Sequence, residues 1–200
     1  MTARPYNSGD VPDLATVLFT EHEIQQQVHA LGEAITRDYA GRSPVLVSVL
    51  KGGAIFLADL FRAIDLPLRV DFMSISSYSG GDRASGVVRI LKDLDNDIGG
   101  EDVLVVEDII DTGLTLSYLL TTLWARDPAS IEVCTLLDKS VRRIPPLDIR
   151  YRGFDCPDQF VIGYGLDHAE RYRNLSMILA VGSQAELAQD PDALLPFLHR

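Results

Sequence analysis

The sequence predicts an α/β fold with a mostly parallel central sheet flanked by helices. Two observations carry that prediction. First, short runs dominated by β-branched and aliphatic residues, such as Val45–Leu50, Val103–Val106 and Ile131–Leu137, are apolar without alternation. Such runs read as buried strands. Second, two of these runs end in a short polar or glycine-rich turn and then a helical pattern, the strand–turn–helix order that builds parallel sheets. Ligands of such folds gather at the carboxyl ends of the strands.

The elements follow in order. Residues 1 to about 17 are rich in Pro, Gly, Asp and Ser and are expected to form a loose arm. Thr20 and Glu23 make a capping-box pattern, with Phe19 and Ile24 spaced as a hydrophobic staple. The helix they open carries Ile24, Val28, Leu31 and Ile35 on one stripe, and Gly41 stops it. Next come a strand at Val45–Leu50, a turn at Lys51-Gly52-Gly53 and a helix over Ala54–Ile64. A strand at about Leu68–Ser76 leads into the polar, glycine-studded stretch 77–86, which cannot bury itself and is expected to be mobile. A strand at Val87–Leu91 makes that stretch a connection between antiparallel strands. After the strand that starts at Val103, Leu116, Leu119, Leu120 and Leu123 mark a helix. Strands at about Ile131–Leu137, Phe160–Gly163 and Met177–Val181 complete the set, and the tail from Gln184 is helix-compatible. There is no internal repeat.

With 200 residues, 46% hydrophobic and 24% charged, the chain has the composition of one globular domain. Its net charge of −11 comes without a basic run. General nucleic-acid or anionic-membrane binding is therefore not expected, because affinity for a phosphate backbone needs clustered Lys and Arg. A small phosphorylated ligand, held by a few amides and cations, is not excluded. Cys134 and Cys156 lack metal-ligand spacing, and Cys134 lies in an apolar run as a small core residue would. No signal peptide or membrane-spanning run is visible, so a cytoplasmic location is expected.

The most informative segment is Val103–Thr115. A buried strand ends in the adjacent carboxylates Glu107 and Asp108. These interrupt an otherwise apolar stretch, a costly placement unless something binds them. The small-residue loop Asp111-Thr112-Gly113 then opens a helix. An Asp or Thr before a helix is commonly only an N-cap. The joint pattern suits a phosphorylated sugar: carboxylates accept from vicinal hydroxyls, while loop amides, Thr112, Thr115 and the helix N-terminus hold a phosphate dianion. Leu50-Lys51-Gly52-Gly53 closes another strand and opens another helix, a second ready anion site. No Gly-x-x-x-x-Gly-Lys-Ser/Thr run supports a P-loop hydrolase.

The Glu-Asp-Ile-Ile-Asp-Thr-Gly form of this segment resembles the phosphoribosyl-pyrophosphate-binding motif of the type I phosphoribosyltransferases, the hypoxanthine–guanine branch in particular. The resemblance covers about residues 18 to 180. It implies a phosphoribosyltransferase domain over 18–183, with a small hood built from the N-terminal segment and about 150–183, and a separate tail at 184–200. It also implies a ribose and 5′-phosphate site at Glu107, Asp108, Thr112, Gly113, Leu114 and Thr115, with Asp111 as general base or proton acceptor at purine N7. Pyrophosphate would lie at Lys51, Gly52 and Gly53, often across a cis bond before the lysine, and at Arg173.

By the same resemblance Lys139 donates to the purine 6-oxygen, Phe160 stacks on the base, and the Val161 backbone meets its Watson–Crick edge. Ser77 and Tyr78 belong to a closing loop, and Mg2+ is the cofactor, with Glu107, Asp108 and Asp167 as ligands. Gly165 stands where relatives often have Ala, and Leu114 is similarly variable; neither changes a ligand side chain.

An ammonium offers donors only, so Lys139 favours a 6-oxo over a 6-amino base. The implied reaction is Mg-dependent transfer of ribose 5-phosphate from phosphoribosyl pyrophosphate to hypoxanthine or guanine, by a homodimer or homotetramer. Rivals are a regulator of the same fold that senses phosphoribosyl pyrophosphate, and a transferase for xanthine or a pyrimidine. The order of preference among hypoxanthine, guanine and xanthine is left open.

Overall fold

The computed structural model describes residues 14–77, 88–190 and 192–198. In chain order the elements are β1 (Ala15–Phe19), α1 (Glu21–Asp38), β2 (Val45–Leu50), α2 (Ala54–Ala63), β3 (Arg69–Ser77), β4 (Val88–Lys92), β5 (Asp102–Ile110), α3 (Leu114–Trp124), β6 (Ser130–Asp138), β7 (Tyr151–Asp155), β8 (Phe160–Ile162), β9 (Ile178–Val181) and α4 (Gln184–Gln189). The described residues fall into two compact units, a larger one within Gln25–Asp158 and a smaller one from residues up to Ile24 and from Gln159 on.

The larger unit holds a six-stranded sheet of order β4-β3-β2-β5-β6-β7, parallel except for the antiparallel β3–β4 pair. This is the mostly parallel sheet that strands alternating with helices predict. Strand alternation explains why the apolar runs do not alternate in polarity. Val45, Val47, Val103, Val105 and Val133 form one cluster with Leu116, Leu119 and Leu123 of α3. The residues of opposite phase, Leu46, Leu104, Val106, Cys134 and Leu136, are buried as well. Both faces are covered, so both phases must be apolar. Burying a leucine as fully as Leu123 contributes about 1.5–3 kcal/mol. The stretch 78–87 between β3 and β4, with Tyr78 of the expected closing loop, lies outside the described residues; of Ser77 only the backbone, ending β3, is described.

The smaller unit holds an antiparallel sheet of order β1-β9-β8. Its core joins Ala15, Ile162, Leu179 and Val181 to Leu187, Leu194 and Phe197. Two expectations change here. The strand β1 begins inside the segment expected to be a loose arm, because Ala15–Val17 pair with Leu179–Val181 of β9. The tail is also more than helix-compatible: α4 and a 3-10 turn at Leu195–Phe197 pack apolar side chains into this core. No helix of the described residues is long and apolar enough to cross a membrane.

Candidate active site

The parallel strands of the larger unit end in loops that carry the expected groups. At the end of β5, Glu107 is half-buried and its Oε1 is enclosed without a hydrogen-bond partner. Burial pushes its carboxyl well above the usual glutamate range, and the adjacent Asp108 charge adds to the shift. Asp108 is 9% exposed; its Oδ1 accepts from the Ile109 N–H at 2.8 Å. The backbone of Gly52 passes so close that a Cβ there would fall on Asp108 Oδ2. The pyrophosphate and ribose loops expected from the sequence are therefore in contact.

The Leu50–Lys51 peptide bond is cis. Lys51 is exposed, and Gly53 begins α2 with no side-chain cap. A Cβ at Gly53 would strike the buried Ser48 Oγ, so glycine is required by close approach. Gly113 begins α3 in the same uncapped way, at φ +79°. Leu114 N lies 3.5 Å from Thr112 Oγ1, a long contact. Neither α2 nor α3 has an acidic residue in its first turn. Unsatisfied amides and the positive end of the helix dipole make such termini anion sites.

A cavity of about 190 Å³ is lined by Glu107, Asp111, Thr112, Gly113 and Thr115, with Ile109, Ile110 and Leu116 as its apolar wall. Asp111 Oδ1 is enclosed and unpartnered, while Oδ2 lies 3.4 Å from Arg142 Nη1. Leu114 is 54% exposed and is not part of this lining. The structure thus gathers the expected sugar and phosphate residues, apart from Leu114 and Asp108, around one space.

Lys139 follows β6 and is 5% exposed, far from the solvated lysine that sequence alone would favour. Its N–H donates to Ile110 O at 2.9 Å, next to Asp111. Cys156 is buried beside this group. Burial pushes its thiol up, with the Lys139 charge opposing the shift and those of Asp111 and Asp138 adding to it.

In the smaller unit, Phe160 is half-buried and meets the His168 ring edge-on, centroids 5.7 Å apart. Val161 is buried on β8, an edge strand, whose outer backbone groups have no strand partner among the described residues of that sheet. Asp167 Oδ1 pairs with Arg173 at 2.7 Å, and its Oδ2 accepts from Glu170 N at 2.8 Å. Arg173 also donates to Gly165 O at 2.8 Å. The two residues expected on magnesium and pyrophosphate therefore hold each other. Ser48, Arg142 and Arg143 are not legible as site residues in the sequence, since a buried serine or an arginine after a strand carries no motif of its own.

Among the described residues no group of three or more His, Cys, Asp or Glu could hold a metal ion. The donors nevertheless suit magnesium, which keeps several waters and takes one or two carboxylates alongside substrate phosphate oxygens. The unpartnered Glu107 Oε1 beside Asp108 offers such a pair.

Comparison with known proteins agrees with this geometry. Residues 16–169 match the model of the phosphoribosyl transferase domain. A hypoxanthine-guanine phosphoribosyltransferase of Mycobacterium avium is 52% identical over 172 residues, 83% of this chain and 85% of its own length. One from Bacillus subtilis is 49% identical over 166 residues, covering 83% of this chain and 92% of its own. The crystal structure of a hypoxanthine phosphoribosyltransferase from Staphylococcus aureus matches with a TM-score of 0.81 at 47% identity, over 84% of this chain and 92% of that one. With the matched residues spanning Lys51–Gly53, Glu107–Thr115 and Lys139 alike, the chain belongs to the phosphoribosyltransferase family of enzymes, in its hypoxanthine-guanine branch.

Proposed function

We propose that this enzyme transfers ribose 5-phosphate from phosphoribosyl pyrophosphate to hypoxanthine or guanine, releasing pyrophosphate and IMP or GMP. The observation that carries the reading is a pair of enclosed, unpartnered carboxylate oxygens, Glu107 Oε1 and Asp111 Oδ1, on residues lining a cavity that ends at the uncapped start of α3. Buried acceptors without donors are costly, and hydroxyls and a purine N–H supply the donors.

In this reading the amides of 113–115, with Thr112 and Thr115, hold the 5′-phosphate, and Glu107 and Asp108 fix the ribose hydroxyls. The Lys51–Gly53 backbone holds pyrophosphate, the role that Arg173 shares by resemblance. As the bond to pyrophosphate lengthens, positive charge develops at the anomeric carbon, and these groups stabilise the departing anion. Asp111 accepts a proton at purine N7, and Lys139 donates to the 6-oxygen. Phe160 stacks on the base and the Val161 backbone meets its edge. Glu107 and Asp108, with Asp167 by resemblance, would hold magnesium, which would supply neutralisation of charge on the phosphate oxygens. Much of the catalysis is then positioning. The same reading has the enzyme act in the cytoplasm as a homodimer or homotetramer.

The test is nucleotide formation from hypoxanthine, guanine, xanthine, adenine and uracil with phosphoribosyl pyrophosphate, with and without magnesium. Metal-dependent product from hypoxanthine or guanine and little from adenine supports the reading. No product from any base, despite tight binding of phosphoribosyl pyrophosphate, overturns it in favour of a sensing role.

A further inference from the structure

The turn after Lys139 is fastened to the cavity loop at successive points. Lys139 N–H donates to Ile110 O at 2.9 Å, Arg142 Nη1 lies 3.4 Å from Asp111 Oδ2, and Ile144 N–H donates to Thr112 O at 3.0 Å. Beneath Gly113, a Cβ would come 2.7 Å from Leu147 Cδ1 and 3.6 Å from Arg143 Cγ. The turn itself is anchored by Asp138, which is 0% exposed and pairs with Arg143, whose side chain is only 13% exposed. Arg152 Nε lies 2.9 Å from the other Asp138 oxygen, without the alignment of a hydrogen bond. A wholly buried carboxylate is tolerated only when paired, so Arg143 is held where Asp138 is.

We propose that Arg143 is a positioning residue for the transfer reaction: clamped by Asp138, it holds the turn 139–144 against residues 110–112 and so sets the purine lysine and the phosphate loop in one register. The proposal rests on the roles given above to Lys139 and to residues 112–115. It predicts that loosening one side chain, to which the reaction gives no chemical role, weakens the binding of both substrates together. A buried ion pair that served stability alone would lower the thermal midpoint and leave the kinetics of the folded enzyme unchanged.

The experiment compares wild type with R143M, R143K and the double variant D138N/R143M, reading KM for hypoxanthine and for phosphoribosyl pyrophosphate, kcat, and the thermal midpoint. R143M leaves Asp138 buried with one partner fewer, so its midpoint falls. D138N/R143M removes both charges, and its midpoint recovers relative to R143M. Both KM values are expected to rise about tenfold in R143M and to stay raised in the double variant, as displacement of positioned groups implies. R143K, with a single point charge on a flexible stem, falls between wild type and R143M. The proposal is overturned if KM for both substrates returns to wild type as the midpoint recovers, or if only one KM moves. If R143M does not fold, R143K decides: an unchanged pair of KM values overturns the proposal and a joint rise supports it. Wild-type turnover tests the reading of function separately. If the wild type forms no nucleotide, dissociation constants for GMP and for ribose 5-phosphate replace KM: a joint rise supports the proposal, and unchanged constants overturn it.

Discussion

The helices divide by how they begin. Helix α1 closes its own N-terminus: Thr20 N–H donates to Glu23 Oε2 at 2.9 Å, and Glu23 N–H donates back to Thr20 Oγ1 at 3.3 Å. Helix α4 does the same with Ser183, whose Oγ accepts from Glu186 N at 3.2 Å. Helices α2 and α3 begin at Gly53 and Gly113, with no side-chain cap and no acid in the first turn. The first pair turns side chains back onto its first amides. In the second, Ala54 N–H meets Lys51 O at 3.3 Å and Leu114 N–H reaches Thr112 Oγ1 at 3.5 Å. The proposed function gives the first turn of α3 to an anion. On the proposed function, this contrast separates a structural helix start from a binding one, a distinction that Thr112 and Thr115 blur in the sequence.

Substitutions can break the contrast from either side. The largest effect is expected at the acid that precedes the open start of α3. Asp111→Asn should lower kcat by about a hundredfold or more while nucleotide binding is largely retained, as read by steady-state kinetics and calorimetry. Unchanged turnover would remove Asp111 from proton transfer. Gly113→Ala places a Cβ 2.7 Å from Leu147 Cδ1 at φ +79°. It should raise KM for phosphoribosyl pyrophosphate about tenfold, since a strained loop costs about 1–3 kcal/mol; an unaltered KM would mean the loop amides do not hold the phosphate.

Glu107→Gln sharpens the contrast through pH. Burial raises the folded-state value of this carboxyl, so the folded state keeps a proton that the unfolded chain has already released. Stability therefore falls as pH rises from the ordinary glutamate range through that raised value. Without metal or substrate, thermal scans from about pH 4 to 8 should show the variant gaining on wild type as pH rises; parallel curves would contradict a raised Glu107. The smallest effect belongs to a capped start. Thr20→Ala should cost about 1 kcal/mol of stability, a drop of about 2–4 °C in Tm, with both KM values unchanged. A kinetic defect there would dissolve the distinction.

Much of this was legible in the sequence because it is local. The capping box of α1 and the apolar runs of β2, β5 and β6 are each written within a few residues, and the Glu107–Thr115 loop has a distinctive spelling. What escaped was long-range. Strand β1 looks like part of a polar arm because its partner, β9, lies far along the chain. Strand β7 is not announced, because Tyr151-Arg152-Gly153-Phe154-Asp155 reads as polar and broken; among the described residues it pairs with β6 alone, at the edge of the sheet. Gly153 is there because a Cβ would strike Leu136 O. The Asp138–Arg143 clamp and the burial of Lys139 depend on a turn folding back, which no periodicity announces. Leu187, Leu194 and Phe197 likewise become core residues only once the smaller sheet exists.

The central claim is that the open start of α3 receives the substrate phosphate. The most direct test is an amide NMR titration of the whole chain with ribose 5-phosphate. Saturable shifts at Gly113, Leu114 and Thr115, with the Thr20–Glu23 and Ser183–Glu186 amides unmoved, are the result expected. Shifts absent from 113–115, or as large at the capped starts, would contradict it.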